Sequence, residues 1–442
     1  MNSERGTQWL AAFCLGLVSA CGAPPDQAND SAVLVTDSAG VTIITNSGPQ
    51  PSPLSDGDGL RLDLRIGATD GDERYQFHRV LEIAVHPDTR EIVVADAGSG
   101  VMRVFDADGN WLRTLGRRGA GPGETERPDV VMFLGDSVFA VTGANYQAVM
   151  FDGKGALLRQ TPLMHESGIV YPVARSPGGW FVWLWSSGNP GGPIRANQIL
   201  ADSVEIRYLD DTGASGAIDL ARRDTARLIA RIPRGFRAMA VPTDRGFTSA
   251  RLLWDAEAQY AGDRRGFLYV SRGEPYQIDM FDSTGSRVHS VRRDVPRVPV
   301  TDAMIRDYES RALAFYDTMT SEHVPAMRAS VLGSLRAPIP EFIPSIHGLL
   351  VARTGAFWVE RRDLAADPVA PLLPDADQSW GGTWDRFDAD GRFVGSVLLP
   401  DDFRPLTLEG NAVYGVLRDD LDVEFVARLE LERRDYGDAS LR

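Results

Sequence analysis

Between Val80 and Gly116 the chain alternates short apolar runs with turn residues. VLEIAV, EIVVA, MRVF and WLRTL are separated by stretches rich in Asp, Gly, Pro and Ser. The pattern returns between Asp129 and Pro162, as the runs Val130–Leu134, Ser137–Val141, Ala148–Phe151 and Ala156–Gln160. Short β-rich runs bounded by turn signals predict strands. In IVVA and VFAV consecutive positions are apolar, so these strands are expected to be covered on both faces, as when one sheet packs between two others. Four strands recurring roughly every 45 residues is the period of a propeller blade.

Longer units follow with the same signature. A third covers about Gly168–Arg222, with WFVWLW as its second strand and VEIRYLDDTG as its third. A fourth covers about Gly246–Arg293, and a fifth combines HGLLVARTGAFWVERRD with TWDRFDADGRFVGSVLL. The last, RPLTLEGNAVYGVLRDDLDVEFVARLELE, stops after three strands. Its fourth is expected from the other end of the chain: LRLDLRIGATDGDERYQFHRV parallels WLRTLGRRGAGPGETERPDVV as a strand, a glycine-rich connection and the next first strand. Arg61–Ile66 would thus close a ring of six blades and remove its open edges. Gly40–Asn46 is a further strand, expected on an outer edge. The expected fold class is all-β, a six-bladed propeller with a helical insertion between blades four and five.

That insertion is Val300–Pro340, where Met304, Tyr308, Ala312, Phe315 and Met319 recur at helical spacing. Thr301 or Asp302 can cap its start, and Pro325 is expected to begin a second, shorter helix. Two readings remain open for it: a packing lid, or a gate over the central channel.

Several motifs invite chemistry and resolve into structure. VFDADGNWLRTLGRRGAGPGE places Asp106 and Asp108 before a glycine, as a calcium loop begins. A calcium loop of the EF-hand type needs its glycine at position 6 and a glutamate at position 12. Counted from Asp106, the glycine is at position 4 and position 12 is Arg117. The motif recurs as MFDGKGALL, YLDDTGASG and MFDSTGSRV, with lysine or threonine replacing the second aspartate, and as RFDADGRFV, which restores it at Asp390. A hairpin turn tolerates that exchange, because the first aspartate bonds backbone amides and the glycine supplies the positive φ. GRRGAGPGE is followed by Pro128 and a strand rather than a helix, so a crossing between blades is expected there rather than a phosphate cradle. Trp180, Trp183 and Trp185 could stack on sugar, although their place on a strand favours core packing.

The chain has 442 residues, a formal net charge of −15 and no long basic tract, which makes nucleic acid and anionic headgroups poor partners. At the N-terminus, WLAAFCLGLVSA is too short for a spanning helix and fits an export signal. VSAC resembles the bacterial lipobox, which would leave an acylated Cys21 as the new terminus. Val18 and a weakly basic start depart from that pattern, and cleavage near Ala20 as an ordinary signal peptide is the alternative; both export the chain. The only cysteines are Cys14, within the removed segment, and Cys21, so no disulfide or cysteine metal site is expected. The organisation expected is a signal peptide over 1–20, a flexible tether over 21–38, the ring over 39–434 with its insert at 300–340, and a tail over 435–442. By resemblance, Gly22 after the cysteine sorts a lipoprotein toward the outer membrane.

The blade motif resembles the NHL-type six-bladed β-propellers. Together with the lipobox and DSAGVTIITN, the chain resembles bacterial propeller lipoproteins of unassigned role, over most of Ser38–Leu431. The resemblance implies fold and location rather than chemistry. Lactonase relatives hold calcium in the channel with acidic and amide side chains, for which Glu82 and Asn145 are the candidates here, with nothing elsewhere to complete the set. Lyase relatives use clustered histidines, whereas His78, His86, His165, His289, His323 and His347 are scattered without ligand spacing. No GxSxG elbow is present. No catalytic, metal-binding or cofactor-binding residue is therefore assigned, no cofactor is expected, and Cys21 is the one modified position. The expected function is a lipid-anchored extracytoplasmic binding or scaffolding module for a protein or carbohydrate partner, met by loops such as Ser186–Asn197 and Asp363–Thr383. The alternative is a metal-dependent lactonase or lyase acting in the channel.

Overall fold

The computed structural model describes residues 32–48, 52–54, 59–165, 168–185, 196, 199–200, 203–210, 226–233, 238–244, 246–361, 367–374 and 380–431. Six antiparallel sheets carry the ring. Blade one runs in order through Val80–Val85, Ile92–Asp96, Val101–Phe105 and Trp111–Leu115, and blade two through Pro128–Leu134, Ser137–Thr142, Gln147–Phe151 and Leu157–Pro162. The first strands of neighbouring blades lie side by side: one against two, three against four, four against five, five against six, and six against one. They therefore enclose the axis. Second strands, such as Ile92–Asp96 and Ser137–Thr142, are almost wholly buried between adjacent sheets, as their unbroken apolar runs predict.

The ring closes head to tail. Leu60–Ile66 pairs antiparallel with Glu424–Leu431 and supplies the fourth strand of blade six. Residues 41–47 lie on the outer edge of blade four, parallel to Arg287–Arg293. Asn46 fastens this strand to blade five: its Nδ2 donates to the Gly391 carbonyl at 3.0 Å and its Oδ1 accepts from the Phe393 amide at 2.8 Å. One expectation changes here. Residues 32–38, assigned to the tether, form another strand that pairs with 41–47; its run AVLVTDS is apolar enough to extend the sheet.

Two boundaries also move. The fourth strand of blade three is Arg227–Pro233, beyond the expected limit of Arg222. Gly246–Arg251 does not open blade four but pairs with Ala238–Thr243 in a separate hairpin, and blade four begins at Gln259. That hairpin receives the helical insert. Helices α1 (Asp302–Asp317) and α2 (Val324–Ser334) follow blade four. Thr301 caps α1 by accepting from the Met304 amide at 3.3 Å, and Pro325 lies in the first turn of α2. Of the apolar stripe, Tyr308 and Ala312 are buried, with Leu253, Trp254 and Val331. Gly333 lets α2 approach the hairpin, since a Cβ there would come within 2.3 Å of Val241 Cγ2.

Strand alternation fixes which rim this insert occupies. Within each blade the first and third strands run one way and the second and fourth the other, so every blade ends on the rim where the next begins. Both the hairpin and the helices rise from that rim, called upper below; the turns joining first to second strands line the lower rim.

Candidate functional site

Residues from all six first strands line a central cavity of about 300 Å³. Its walls are mixed: Ala84, Met132, Val173, Ala261 and Leu350 are apolar, whereas Glu82, Arg264, Arg353 and Glu409 bring charge to its two ends. In blades one, two, three, five and six, the first strand shifts register by one residue against the second. Such bulges bend a strand and re-aim its side chains, and in blade one the shift falls between Val80 and Glu82.

Glu82 is the acidic group toward the upper end of this cavity. Its Oε1 accepts from the Ile83 amide at 3.1 Å. Burial pushes its pKa up to about 8, against the weaker pull of that amide and of Arg404, so the carboxyl is largely neutral at pH 7. Arg404 donates to the Val80 carbonyl and leaves its Nε buried without a partner; burial lowers its own pKa. Tyr171 lies within electrostatic reach of Glu82 and is raised by burial and by Asp129, to which its hydroxyl donates at 3.4 Å.

Aromatic faces surround this mouth. Tyr171 stacks on Trp183 at 5.0 Å, and Arg418 covers the Trp380 ring at 3.8 Å. Trp183, Tyr171 and Trp380 are each half-buried. Trp180 is fully buried against Phe139 and belongs to the core, whereas the side chain of Trp185 lies outside the described residues.

The lower mouth is built from charged residues at or beyond the ends of the first strands. Arg353 grips Glu409 through Nε and Nη2, at 2.9 and 2.5 Å, and Arg90 joins Glu409 at 3.3 Å. Asp263 is fully buried and bonds Arg265 at 2.7 Å and the Tyr269 hydroxyl at 3.1 Å. Arg264 reaches the Phe133 carbonyl at 2.9 Å. None of these arginines stands out in the sequence. The available signal is positional: a charged residue recurs at the end of the first strand or just after it in several blades, as Arg175, Arg264, Arg353 and Glu409.

The sequence candidates separate. Glu82 reaches the cavity, but Asn145 does not; it bonds Thr142 in a turn of blade two. His86 is buried and accepts from the Asp88 and Thr89 amides through Nδ1 at 3.2 and 3.0 Å. His289 is on the outer strand of blade four, His323 precedes α2 and His347 is at the bulge of blade five. Among the described residues, no three His, Cys, Asp or Glu side chains form a metal-holding group. The aspartate motifs are turns: Asp106, Asp152, Asp282 and Asp388 each accept from the amides two and four residues ahead. Asp419 does the same, in a motif not singled out from sequence, while the YLDDTGASG turn falls outside the described residues. GRRGAGPGE crosses from blade one to blade two, with Arg117 bonded to Glu124 at 2.8 Å.

The loop expected to meet a partner at Asp363–Thr383 is partly packed, since Val369 and Leu372 are buried with Trp254. Most of Ser186–Asn197 and the whole segment before residue 32, including Cys21, lie outside the described residues.

No family model and no curated protein matches the sequence. Solved structures do match in overall form. A proposed exported protein from Bacteroides fragilis is 10% identical, with 89% of this chain and all of that one covered and a TM-score of 0.46. A streptogramin B lyase is 12% identical over 85% of this chain and 98% of its own, with a TM-score of 0.39. A gluconolactonase from Xanthomonas campestris is 14% identical over 86% and 97%, with a TM-score of 0.38. These likenesses carry no argument about chemistry. The class is defined by the sheet order itself: a six-bladed β-propeller.

Proposed function

We propose that the protein is an exported, NHL-like propeller, held to the outer membrane by a lipid on Cys21, that binds a protein or carbohydrate partner. The observation that carries the binding role is the upper rim, where Tyr171 and Trp183 stand half-buried on paired strands and Trp380 stands half-buried just before one. Aromatic faces with a polar surround suit sugars and peptides, and a rigid sheet holds them without an ordering cost on binding. The anchor is compatible with access. Ala32 is on the outer perimeter of blade four, and the ten residues between it and Cys21 reach at most about 35 Å, so neither mouth need face the membrane.

Two comparisons test this reading. Wild-type protein should fractionate with membranes and carry an acyl mass that Cys21→Ala loses; equal retention without that mass overturns the anchor. On glycan and peptide arrays, Trp380→Ala and Trp183→Ala should weaken a shared ligand by about tenfold, the scale of a lost aromatic contact. Unchanged binding by both variants overturns the rim as the site. Catalysis in the channel is favoured by one observation, the carboxyl of Glu82 held near neutral pH, which suits a general acid or base. Metal analysis with turnover measured before and after chelation tests the metal-dependent form of that reading.

A further inference from the structure

The lower mouth specifies a ligand of its own. Arg264 follows the first strand of blade four, yet its Nη2 bonds the Phe133 carbonyl of blade two. Its side chain therefore crosses the mouth past the end of blade three. There it interacts with Arg353 of blade five, Glu409 of blade six and Asp88 of blade one, which places the guanidinium over the ring axis. The Phe133 carbonyl is its one hydrogen-bond partner among the described residues, and the remaining donors of the fork are uncommitted. Arg353, beside it, is spent on Glu409.

We infer that the cavity binds a small monocarboxylate, its carboxylate on the Arg264 fork and its apolar body against Ala84, Met132, Val173 and Leu350. A planar carboxylate matches one guanidinium in shape and charge. A phosphate would bring a second charge close to Glu409 and Asp88, which already face Arg264. The volume, about 300 Å³, is at the lower limit of ligand pockets, so the body must be short. Two further facts agree. Partial burial and the neighbouring Arg353 hold Arg264 below the usual guanidinium range and outweigh the pull of Glu409 and Asp88, so a bound carboxylate would offset a net cost. At the upper end Glu82 is largely neutral at pH 7 and adds little repulsion.

This inference goes beyond partner binding at the rim and is tested separately. Acetate, butanoate, hexanoate and inorganic phosphate are titrated into the purified protein by calorimetry at pH 7. Saturable one-to-one binding should tighten by about fourfold per methylene until the cavity is full, with phosphate weakest. Arg264→Gln keeps a polar side chain but loses the charge and the reach to Phe133, and should weaken butanoate by about tenfold or more. Arg264→Lys should fall between the two. No heat with any monocarboxylate, an affinity independent of chain length, tighter binding of phosphate, or equal binding by Arg264→Gln overturns the proposal. Should Arg264→Gln melt before binding can be read, the chain-length series on the wild-type protein decides alone. Failure here leaves the array result at Trp183 and Trp380 standing, and the reverse holds equally.

Discussion

Two carboxylates in this ring lie off its outer surface, one sealed between blades and one on the cavity wall, and they are opposites. Asp385, on the third strand of blade five, is fully buried and surrounded by donors. Tyr276 donates to its Oδ2 at 2.9 Å, Ser396 and Arg361 to its Oδ1 at 2.6 and 3.1 Å, and Arg293 from blade four also bonds it. Glu82 has the amide of its own neighbour and a distant arginine. The first is a rivet between two blades; the second is a group kept largely neutral because nothing nearby compensates its charge. Burial alone does not mark a functional group. The inventory of partners does, since a satisfied carboxylate has no acceptor left to offer and an unsatisfied one has.

The rivet gives the largest expected effect. Asp385→Asn keeps the shape but leaves Arg293 buried, and Arg361 beside it, without a counter-charge. Removing one partner of a buried ion pair costs about 3–5 kcal/mol, and the loss should appear as a lowered thermal midpoint and lowered urea resistance. A variant as stable as wild type would show that the cluster contributes no more than an apolar contact, and the contrast with Glu82 would fail.

Glu82 should respond to pH instead. In the folded ring its proton is held up to about pH 8, against a reference of 4.5. Between those values the unfolded chain has released a proton that the native state retains. The contribution of Glu82 is thus complete below pH 4.5, is lost as pH rises toward 8, and is constant above. By linkage the rise from 4.5 to about 8 corresponds to a loss of about 5 kcal/mol at most, of the same order as that at Asp385 but spread over the pH range. The melting temperature of Glu82→Gln minus that of wild type should be near zero at pH 4.5 and grow steadily to pH 8. A difference that stays flat would mean that Glu82 titrates as an exposed carboxylate.

These two sites also show what a sequence discloses. Blades one and two are legible because their information is local: an apolar run, an Asp-x-x-Gly turn and the next run. Even the closing strand is legible, because blade six lacks a fourth strand and Leu60–Ile66 lacks the rest of a blade. Pairing partners are less visible. Gly246–Arg251 reads correctly as a strand, but nothing in it says that it pairs with Ala238–Thr243 rather than opening blade four. Residues 32–38 were hidden beside a polar, proline-bearing stretch. The sites are hidden for a stronger reason. Arg264 and Phe133 are 131 positions apart, and Arg293 and Asp385 are 92 apart; only ring closure brings each pair together. Glu82 could be named as a candidate, but its neutrality depends on five other blades.

The exposed aspartates supply the third term of the comparison and the smallest effect. Asp106 is in contact with water, and its Oδ1 accepts from the Asp108 and Asn110 amides at 3.0 and 2.8 Å, while its Oδ2 accepts from the Asn110 side chain at 2.9 Å. Those bonds hold its pKa below the ordinary aspartate value, with the Asn110 side chain the largest cause. Gly109 completes the turn at a φ of 86°, which only glycine adopts without strain. Here the carboxylate is satisfied without being buried, so removing it strands no charge. Asp106→Ala should cost about 1 kcal/mol, the net worth of such hydrogen bonds, and the same change at Asp152 or Asp388 should cost about as much, because the geometry repeats. Chemical denaturation of the three variants checks this. A loss at Asp106 as large as that at Asp385 would break the rule, because partner number rather than burial would then set the cost.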